Sequence, residues 1–506
     1  MISIAPDRTI GIVGAGAMGT GIAQVAALAG HRVRLFDLRA GACDATLAAL
    51  AKTFDALVAK GKLDADKAET ALGRLEIAET LADFDVCALV VEAIAEDIGA
   101  KRALFGELEK IVAPDCILAS NTSSLSISAL ARDLDAPQRC AGFHFFNPAP
   151  VMALVEIVSG LATAPDVAQK LFATALAWGK TPVHAASTPG FVVNRCARPF
   201  YGEALRLLGE RACDAATLDA VMREAGGFRM GPCELMDMIG HDINFAVTNA
   251  VYDATFHDPR YRPSLVQSEL VAAGRFGRKS GRGFFEYGAK AAKSAPADEP
   301  AAPRPQQIVI EGEPERIELL VARAMDAGLR LHRRPAGEKG ARLLVDGTTL
   351  RMTDGRSATL RAAQTGEHAL ALFDLALDYG TATRIAISVA DQATGQAGVS
   401  ATGFFQAIGM AVSLVDDAPG LIVLRTVAML ANEALEAVHL GIVSADGVDL
   451  AMVKGLNYPK GPFAWGREIG LGYVKAAIDN LQRHYGEDRY RASQRLDRLV
   501  ARENPT

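Results

Sequence analysis

The chain opens with a short unbroken apolar run, Thr9-Ile10-Gly11-Ile12-Val13. A helical-period stretch from Thr20 to Ala29 follows, then a second strand-like run from Arg32 to Phe36. Apolar residues recur at helical spacing through the Ala/Leu-rich segment between Arg39 and Lys62. Val86–Val91 and Cys116–Ala119 read as further buried strands, with a helix ending at Val112 between them. Strands alternating with helices in this way predict a doubly wound, mostly parallel sheet. Two more strand-like runs, Ala141–Phe146 and Met152–Val158, are joined by a Pro-broken turn, so they are expected to lie side by side. From Thr188-Pro189-Gly190 onward the period is helical: Phe191 to Leu208, Leu218 to Ala225, Cys233 to Ile239 and Asp242 to Phe256. The expected order is an α/β unit, then an all-α unit.

Residues 287–306 are Ala/Pro/Lys-rich without an apolar period and read as a linker. After them the first half repeats. Ala418-Pro419-Gly420 matches Thr188-Pro189-Gly190, and the same offset pairs Glu433-Ala434-Leu435 with Glu203-Ala204-Leu205, Asp449 with Asp219, and Gly461-Pro462 with Gly231-Pro232. Asn194 becomes Leu424. A fainter echo of the first strand-turn-helix-strand runs from Ile308 to Pro335, placing Gly312 on Gly14 and Gly328 on Gly30. There Gly16 becomes Pro314, Gly19 becomes Ile317 and Asp37 becomes Pro335. No His follows Gly403-Phe404-Phe405, the segment read as the counterpart of the run carrying His144. The second half is therefore expected to be a degenerate copy that neither binds a dinucleotide nor catalyses. The expected boundaries are 1–186, 187–287, a linker 288–306, 307–415 and 416–506.

With 506 residues, half of them hydrophobic, the chain can bury several cores. A net charge of -6 gives no electrostatic case for nucleic acid or a membrane surface. Met1–Arg8 lacks an apolar export core, and no apolar run is long enough to span a bilayer. The seven cysteines all precede residue 234 and show no metal-ligand spacing, so reduced thiols in a cytoplasmic protein and no metal site are expected.

Gly14-Ala15-Gly16-Ala17-Met18-Gly19 lies between the first strand and first helix, the context in which GxGxxG binds a dinucleotide. Gly14 permits the turn, Gly16 lets backbone approach a pyrophosphate, and Gly19 lets helix and sheet close up. The helix N-terminus offers free N–H groups to phosphate. Asp37, ending the second strand, suits a ribose 2′-hydroxyl and repels a 2′-phosphate, so NAD is expected over NADP. His144 and Glu156 stand on the two runs expected to be neighbours, and a carboxylate beside an imidazole makes an oriented general base. Taken alone, such a pair is more often a buried His and a surface Glu that never meet. Ser120 to Leu125 places hydroxyls at a ligand-facing strand end, although such runs usually cap helices. Lys60 and Lys62 read first as solvated charges at a helix end.

GAGAMG, SNTSSL, HFFNPxxxMxLVEI, TPGFVVNR, GPxELxDxxG and FGRKSGRGFFEY occur in this order over residues 1 to about 287 and resemble the L-3-hydroxyacyl-CoA dehydrogenases. The resemblance implies a Rossmann NAD-binding domain and an all-α C-terminal domain of that family, here followed by a degenerate second copy of both. It implies an acyl-CoA substrate, His144 as general base with Glu156 as its partner, and Ser123 and Asn194 around the substrate 3-oxygen and thioester. Together with Gly14, Gly16, Met18, Gly19 and Asp37, it implies Glu96, Lys101, Asn147 and Lys279 as cofactor contacts. Lys60 and Lys62 become counterparts of acyl-CoA phosphate contacts. Two copies without a hydratase module resemble the long family members that act on 3-hydroxyadipyl-CoA in phenylacetate degradation. Arg195, Arg198 and Arg229 are the candidates for such a substrate's free carboxylate. A short-chain 3-hydroxybutyryl-CoA substrate is the alternative, and a non-catalytic NAD-binding protein is the reading from a different class. Helical domains of this family pair, so the chain is expected to be a homo-oligomer or a pseudo-dimer within itself.

Overall fold

The computed structural model describes residues 2–288, 291–292, 294–313, 317–337 and 341–503; Pro314 lies outside them. They divide into two compact units, the first Met1–Arg195 with Leu440–Leu456, the second Cys196–His439 with Asn457–Thr506.

Among the described residues of the first unit, eight strands form one sheet: β1 (Thr9–Val13), β2 (Val33–Phe36), β3 (Leu75–Ile77), β4 (Cys87–Glu92), β5 (Ile117–Ser120), β6 (Cys140–Phe145), β7 (Leu154–Ser159) and β8 (Thr181–Ala186). Their spatial order is β3-β2-β1-β4-β5-β6-β7-β8, parallel throughout except between β6 and β7. The chain leaves β1 toward β2 and β3, then crosses back to β4, so the carboxyl ends of β1 and β4 flank a topological switch point where doubly wound sheets bind ligands. β4, β5 and β6 are buried at every position, which is why they read as unbroken apolar runs. Residues 440–456 complete this unit. Their helix, Ala445–Leu456, packs on β7 and β8, and the Ala186 N–H donates to the Ile442 carbonyl at 2.8 Å.

The second unit holds helices from both copies. Helix Val423–His439 packs along helix Arg198–Gly209 and is buried at every position from Val423 to Leu435. The two copies exchange equivalent contacts. Tyr261 of the first donates its hydroxyl to Glu433 of the second at 2.6 Å, and Tyr490 of the second donates to Glu203 of the first at 2.8 Å.

This unit also carries a sheet of seven strands among its described residues: β9 (Ile308–Glu311), β10 (Leu331–Arg334), β11 (Arg342–Val345), β12 (Thr348–Met352), β13 (Leu370–Phe373), β14 (Arg384–Val389) and β15 (Ala411–Leu414). The order is β10-β9-β11-β12-β13-β14-β15. The echo read from 308 to 335 is present as strand β9, helix Glu318–Asp326 and parallel strand β10. Gly312 and Gly328 take left-handed backbone (φ +63° and +72°), as Gly14 and Gly30 do (φ +108° and +107°).

One expectation is corrected. Gly403-Phe404-Phe405 is no strand; it lies in helix Gly395–Ala407, with both Phe rings buried. Gly403 is needed because the Pro303 carbonyl stands 2.1 Å from where a Cβ would be. The true counterpart of His144 follows from strand register. Phe143 pairs with Ile157 and Phe373 with Ile387, so Asp374 occupies the place of His144 and Ala386 that of Glu156. The expected linker has no regular structure where described, yet it is tied down. Ala297, Glu299 and Ala302 donate backbone N–H to Thr217, Val412 and Gln406, each at 2.8 Å.

Candidate active site

His144 and Glu156 are direct cross-strand partners on β6 and β7, so their side chains share one face. The His144 Nδ1–H donates to Glu156 Oε2 at 2.6 Å, and both residues are buried. This contact orients the ring and leaves Nε2 as the accepting nitrogen. The other oxygen, Oε1, accepts the backbone N–H groups of Val192 and Val193 at 3.0 and 2.9 Å. One carboxylate thus holds the base and the turn leading into the short helix Val193–Cys196, which carries Asn194.

The SNTSS turn follows β5. Asn121 Oδ1 accepts the Phe145 N–H at 2.8 Å, tying this turn to the strand of the base. Glu96 Oε1 accepts from the Thr122 hydroxyl at 2.6 Å, the Ser123 N–H at 3.0 Å and the Ser124 N–H at 3.2 Å. Burial pushes the Glu96 carboxyl upward, but the Thr122 hydroxyl, the Lys101 charge and the serine donors outweigh it and hold the group below its ordinary value. Lys101 is buried with its ammonium 2.8 and 2.7 Å from the two oxygens of Glu92 and 3.3 Å from Glu96. Glu92 also accepts from the Ser120 hydroxyl and the Ile94 N–H.

Met18, Glu96, Lys101, Ser123, His144, Asn147 and Asn194 line one cavity of about 350 Å³. A second cavity of about 780 Å³ is lined by Gly14, Gly16, Asp37, Arg39 and Ile94, at the ends of β1, β2 and β4. The residues fit a dinucleotide there. A Cβ on Gly19 would stand 1.7 Å from the Gly14 carbonyl oxygen, so that glycine is required by helix packing. A Cβ on Gly16 would meet no protein atom within 4 Å, so nothing in the protein itself demands glycine there. Helix Ala17–Leu28, capped by Gly16, has no acidic residue in its first turn to oppose a phosphate. Asp37 accepts from the Ala15 N–H at 2.7 Å and from Arg39, whose guanidinium holds the carboxyl well below its usual range.

The remaining candidates are placed differently. Lys62 is exposed and lines a groove of about 850 Å³ with Asn147, Trp178 and Lys180. Lys60 is exposed and lies outside that lining. Lys279 belongs to the second unit, where its ammonium is 2.6 Å from an Asp242 oxygen. Arg195 directly follows Asn194 and is buried; Arg198 is buried in the second unit and donates to Thr248 at 2.9 Å; Arg229 is exposed. Glu92 and Arg39 were not singled out from sequence, and Ser120, Asn121 and Thr122 entered only as part of the Ser120–Leu125 run. Glu92 reads as the last residue of an apolar strand, and only its placement opposite Lys101 reveals it. Lys180, whose buried ammonium is pushed down by desolvation and donates to the Ala149 and Met152 carbonyls, gives no motif signal. Among the described residues no His/Cys/Asp/Glu group could hold a metal, and no helix is long and apolar enough to cross a membrane.

Residues 9–188 match the NAD-binding domain of 3-hydroxyacyl-CoA dehydrogenase, and 190–287 and 420–505 match its C-terminal domain. Residues 350–419 match a reduced Rossmann-fold domain described for 3-hydroxybutyryl-CoA dehydrogenase. The chain is 39% identical to the 3-hydroxyadipyl-CoA dehydrogenase of Escherichia coli K12 over 96% of its own length and 95% of the relative's. A crystal structure titled 3-hydroxybutyryl-CoA dehydrogenase from Escherichia coli K12 superposes with a TM-score of 0.89 at 38% identity, covering 98% of this chain and 99% of that one. The (S)-3-hydroxybutyryl-CoA dehydrogenase structure from Ralstonia eutropha covers 56% of this chain and 99% of its own, at 40% identity and a TM-score of 0.54. An NAD-binding Rossmann domain, an oriented His–Glu pair and a second, reduced copy converge on one conclusion: the chain belongs to the 3-hydroxyacyl-CoA dehydrogenase family and is an NAD-dependent oxidoreductase.

Proposed function

We propose that the chain oxidises (3S)-3-hydroxyadipyl-CoA to the 3-oxoacyl-CoA, and with it serves phenylacetate degradation. His144 Nε2 takes the hydroxyl proton, and the imidazolium that forms is stabilised by Glu156 across the 2.6 Å contact. Ser123 and Asn194, which line the cavity of the base, hold the substrate 3-oxygen and thioester. Glu96, Lys101, Asn147 and Met18 bound the same cavity on the cofactor side, and Lys62 faces the CoA phosphates. NAD, when bound at the Gly14–Gly19 turn, supplies the hydride acceptor. In the reverse direction the imidazolium returns the proton to the 3-oxo group. Seven free cysteines support a reducing, cytoplasmic setting.

The observation that carries the substrate is the near-full-length match to a relative named for 3-hydroxyadipyl-CoA. The second reading, 3-hydroxybutyryl-CoA, is favoured by the similar Escherichia coli and Ralstonia eutropha structures, both named as 3-hydroxybutyryl-CoA dehydrogenases. The test is NADH formation with each substrate, compared as kcat/KM. We expect a clear preference for adipyl; a preference for butyryl would remove the adipyl assignment and leave the dehydrogenase mechanism intact.

A further inference from the structure

Glu92 ends β4 fully buried and outside the lining of the base cavity. An acid taken out of water is costly unless it is ion-paired and hydrogen-bonded. Both of its oxygens are engaged. Oε1 accepts from the Ser120 hydroxyl and, at 2.8 Å, from the Lys101 ammonium. Oε2 accepts from the same ammonium at 2.7 Å and from the Ile94 N–H at 3.2 Å.

Two separate routes lead from this carboxylate to Ser123. Along the strand end, the Ser120 hydroxyl gives its proton to Glu92 and accepts the Thr122 N–H at 3.1 Å. The Glu92 carbonyl accepts the Asn121 N–H at 3.0 Å, fixing the residue between them. By the other route, the Lys101 ammonium stands 3.3 Å from Glu96 Oε2. Oε1 of Glu96 accepts the Ser123 N–H at 3.0 Å and the Thr122 hydroxyl at 2.6 Å. Glu92 is thus the common origin of both routes, and residues 122 and 123 are their common end.

The second copy builds a turn of the same length without this arrangement. Ser120 pairs with Gly142 and Arg351 with Leu372, so with Phe373 in the place of Phe143, Arg351 takes the place of Ser120. Six residues further on, Ser126 and Ser357 each cap a helix, so Asp354 takes the place of Ser123. There Arg351 donates to Glu367 at 2.9 and 2.8 Å, and Arg356 donates to Asp354 at 3.2 and 3.1 Å. Strand β11, beside β9 as β4 is beside β1, runs antiparallel, so Glu92 has no counterpart. The turn can therefore fold without the Glu92–Ser120 relay. The relay is present in the copy that keeps its base.

We propose that Glu92 is a positioning residue for Ser123, acting through Ser120 and, independently, through Lys101 and Glu96. This role rests on the reading of Ser123 as a group that holds the substrate. Glu92 itself touches neither substrate nor base; it sets where the 122–123 backbone lies. A displacement of about 1 Å in such a group can cost about 10²-fold in rate.

The test is steady-state NADH formation by the full chain, using whichever of 3-hydroxyadipyl-CoA and 3-hydroxybutyryl-CoA reacts faster. Ser120→Ala, Glu92→Gln, Ser123→Ala and the pair Ser120→Ala with Ser123→Ala are compared, with melting temperatures as the folding check. Ser120→Ala cuts one route only, so kcat is expected to fall about tenfold while KM for NAD and the melting temperature stay near wild type. Glu92→Gln disturbs both routes and is expected to lose about 10²-fold and to raise KM for NAD, because Lys101 and Glu96 lie on the cofactor side. In the Ser123→Ala background the loss from Ser120→Ala is expected to shrink below about twofold, which a general weakening of the fold would not produce. Should Glu92→Gln fail to fold, the Ser120→Ala and Ser123→Ala pair still decides. Ser120→Ala at the wild-type rate, or with its full loss retained in the Ser123→Ala background, overturns the positioning role and leaves Ser123 holding the substrate. Ser123→Ala at the wild-type rate removes the reading of Ser123 itself, and the role of Glu92 falls with it.

Discussion

Glu156 has two duties that the duplication separates. In the first copy it orients His144 and accepts the N–H groups of Val192 and Val193. Those groups follow a turn in which Gly190 and the non-glycine Phe191 are both left-handed (φ +75° and +46°), a strained arrangement that needs anchoring. The second copy keeps the turn at Gly420 and Leu421 (φ +77° and +53°) and keeps a carboxylate on it. Asp374 accepts from Ile422 and Val423 at 2.9 and 2.7 Å. Yet the anchoring carboxylate now sits where the base was, and no imidazole remains. The fold needs the anchor, and the chemistry needs the base. Glu156→Gln can give its carbonyl oxygen to the turn but presents an amide N–H to Nδ1, which forces the proton onto Nε2. We expect a loss of about 10²–10⁴-fold in kcat with little change in melting temperature. Glu156→Ala should lose both rate and stability, because two buried N–H groups are orphaned at about 1–3 kcal/mol each. NADH formation and calorimetric melting of the two variants check this, and a Gln variant at wild-type rate would defeat the tautomer argument.

The strand-turn-helix at the N-terminus shows how glycines in one motif differ. Gly19→Ala drives a methyl group into the Gly14 carbonyl, so it should destabilise the protein whether or not cofactor is present. Gly16→Ala meets no protein atom, so its melting temperature should stay near wild type while NAD affinity falls tenfold or more. Thermal melts with and without NAD, plus a titration of NAD, separate the two; equal stability loss in both variants would refute the distinction. This element was legible from sequence because local turn chemistry and period carry it, and its echo at Gly312 and Gly328 was found the same way. The counterpart of His144 was not. Asp374 is preceded by Ala371-Leu372-Phe373, which shares with Ala141-Gly142-Phe143 little beyond apolarity, and only the pairing of Phe373 with Ile387 sets the register. The Glu92–Lys101–Glu96 chain was partly hidden for a similar reason. Its members were visible at 96 and 101, but the buried acid joining them sits at the end of an apolar strand and makes its contacts through tertiary placement.

At the scale of the whole chain, the second copy is bound into both units. In the first, residues 440–456 cover β7 and β8, and Gly455 lies so close to Leu154 that a Cβ would stand 2.6 Å from its Cδ2. In the second, Phe200 and Phe228 of the first copy pack on Tyr458 of the second at ring separations of 5.4 and 5.1 Å, and Phe228 also meets Trp465 at 5.8 Å. Burial of such side chains is worth about 1.5–3 kcal/mol each, so a chain ending at Tyr287 would expose a costly apolar face. That fragment also keeps both halves of the contact that joins the copies. Glu203 is the counterpart of Glu433, and Tyr261 that of Tyr490, so two fragments can exchange Tyr261–Glu203 contacts about a twofold axis. We therefore expect residues 1–287 to form a homodimer at concentrations where the full chain shows no such pairing, and to melt below the full chain because β7 and β8 have lost their cover. Sedimentation velocity of fragment and full chain decides it. A fragment that is soluble, monomeric and fully active would show that the second copy covers nothing the first copy needs covered.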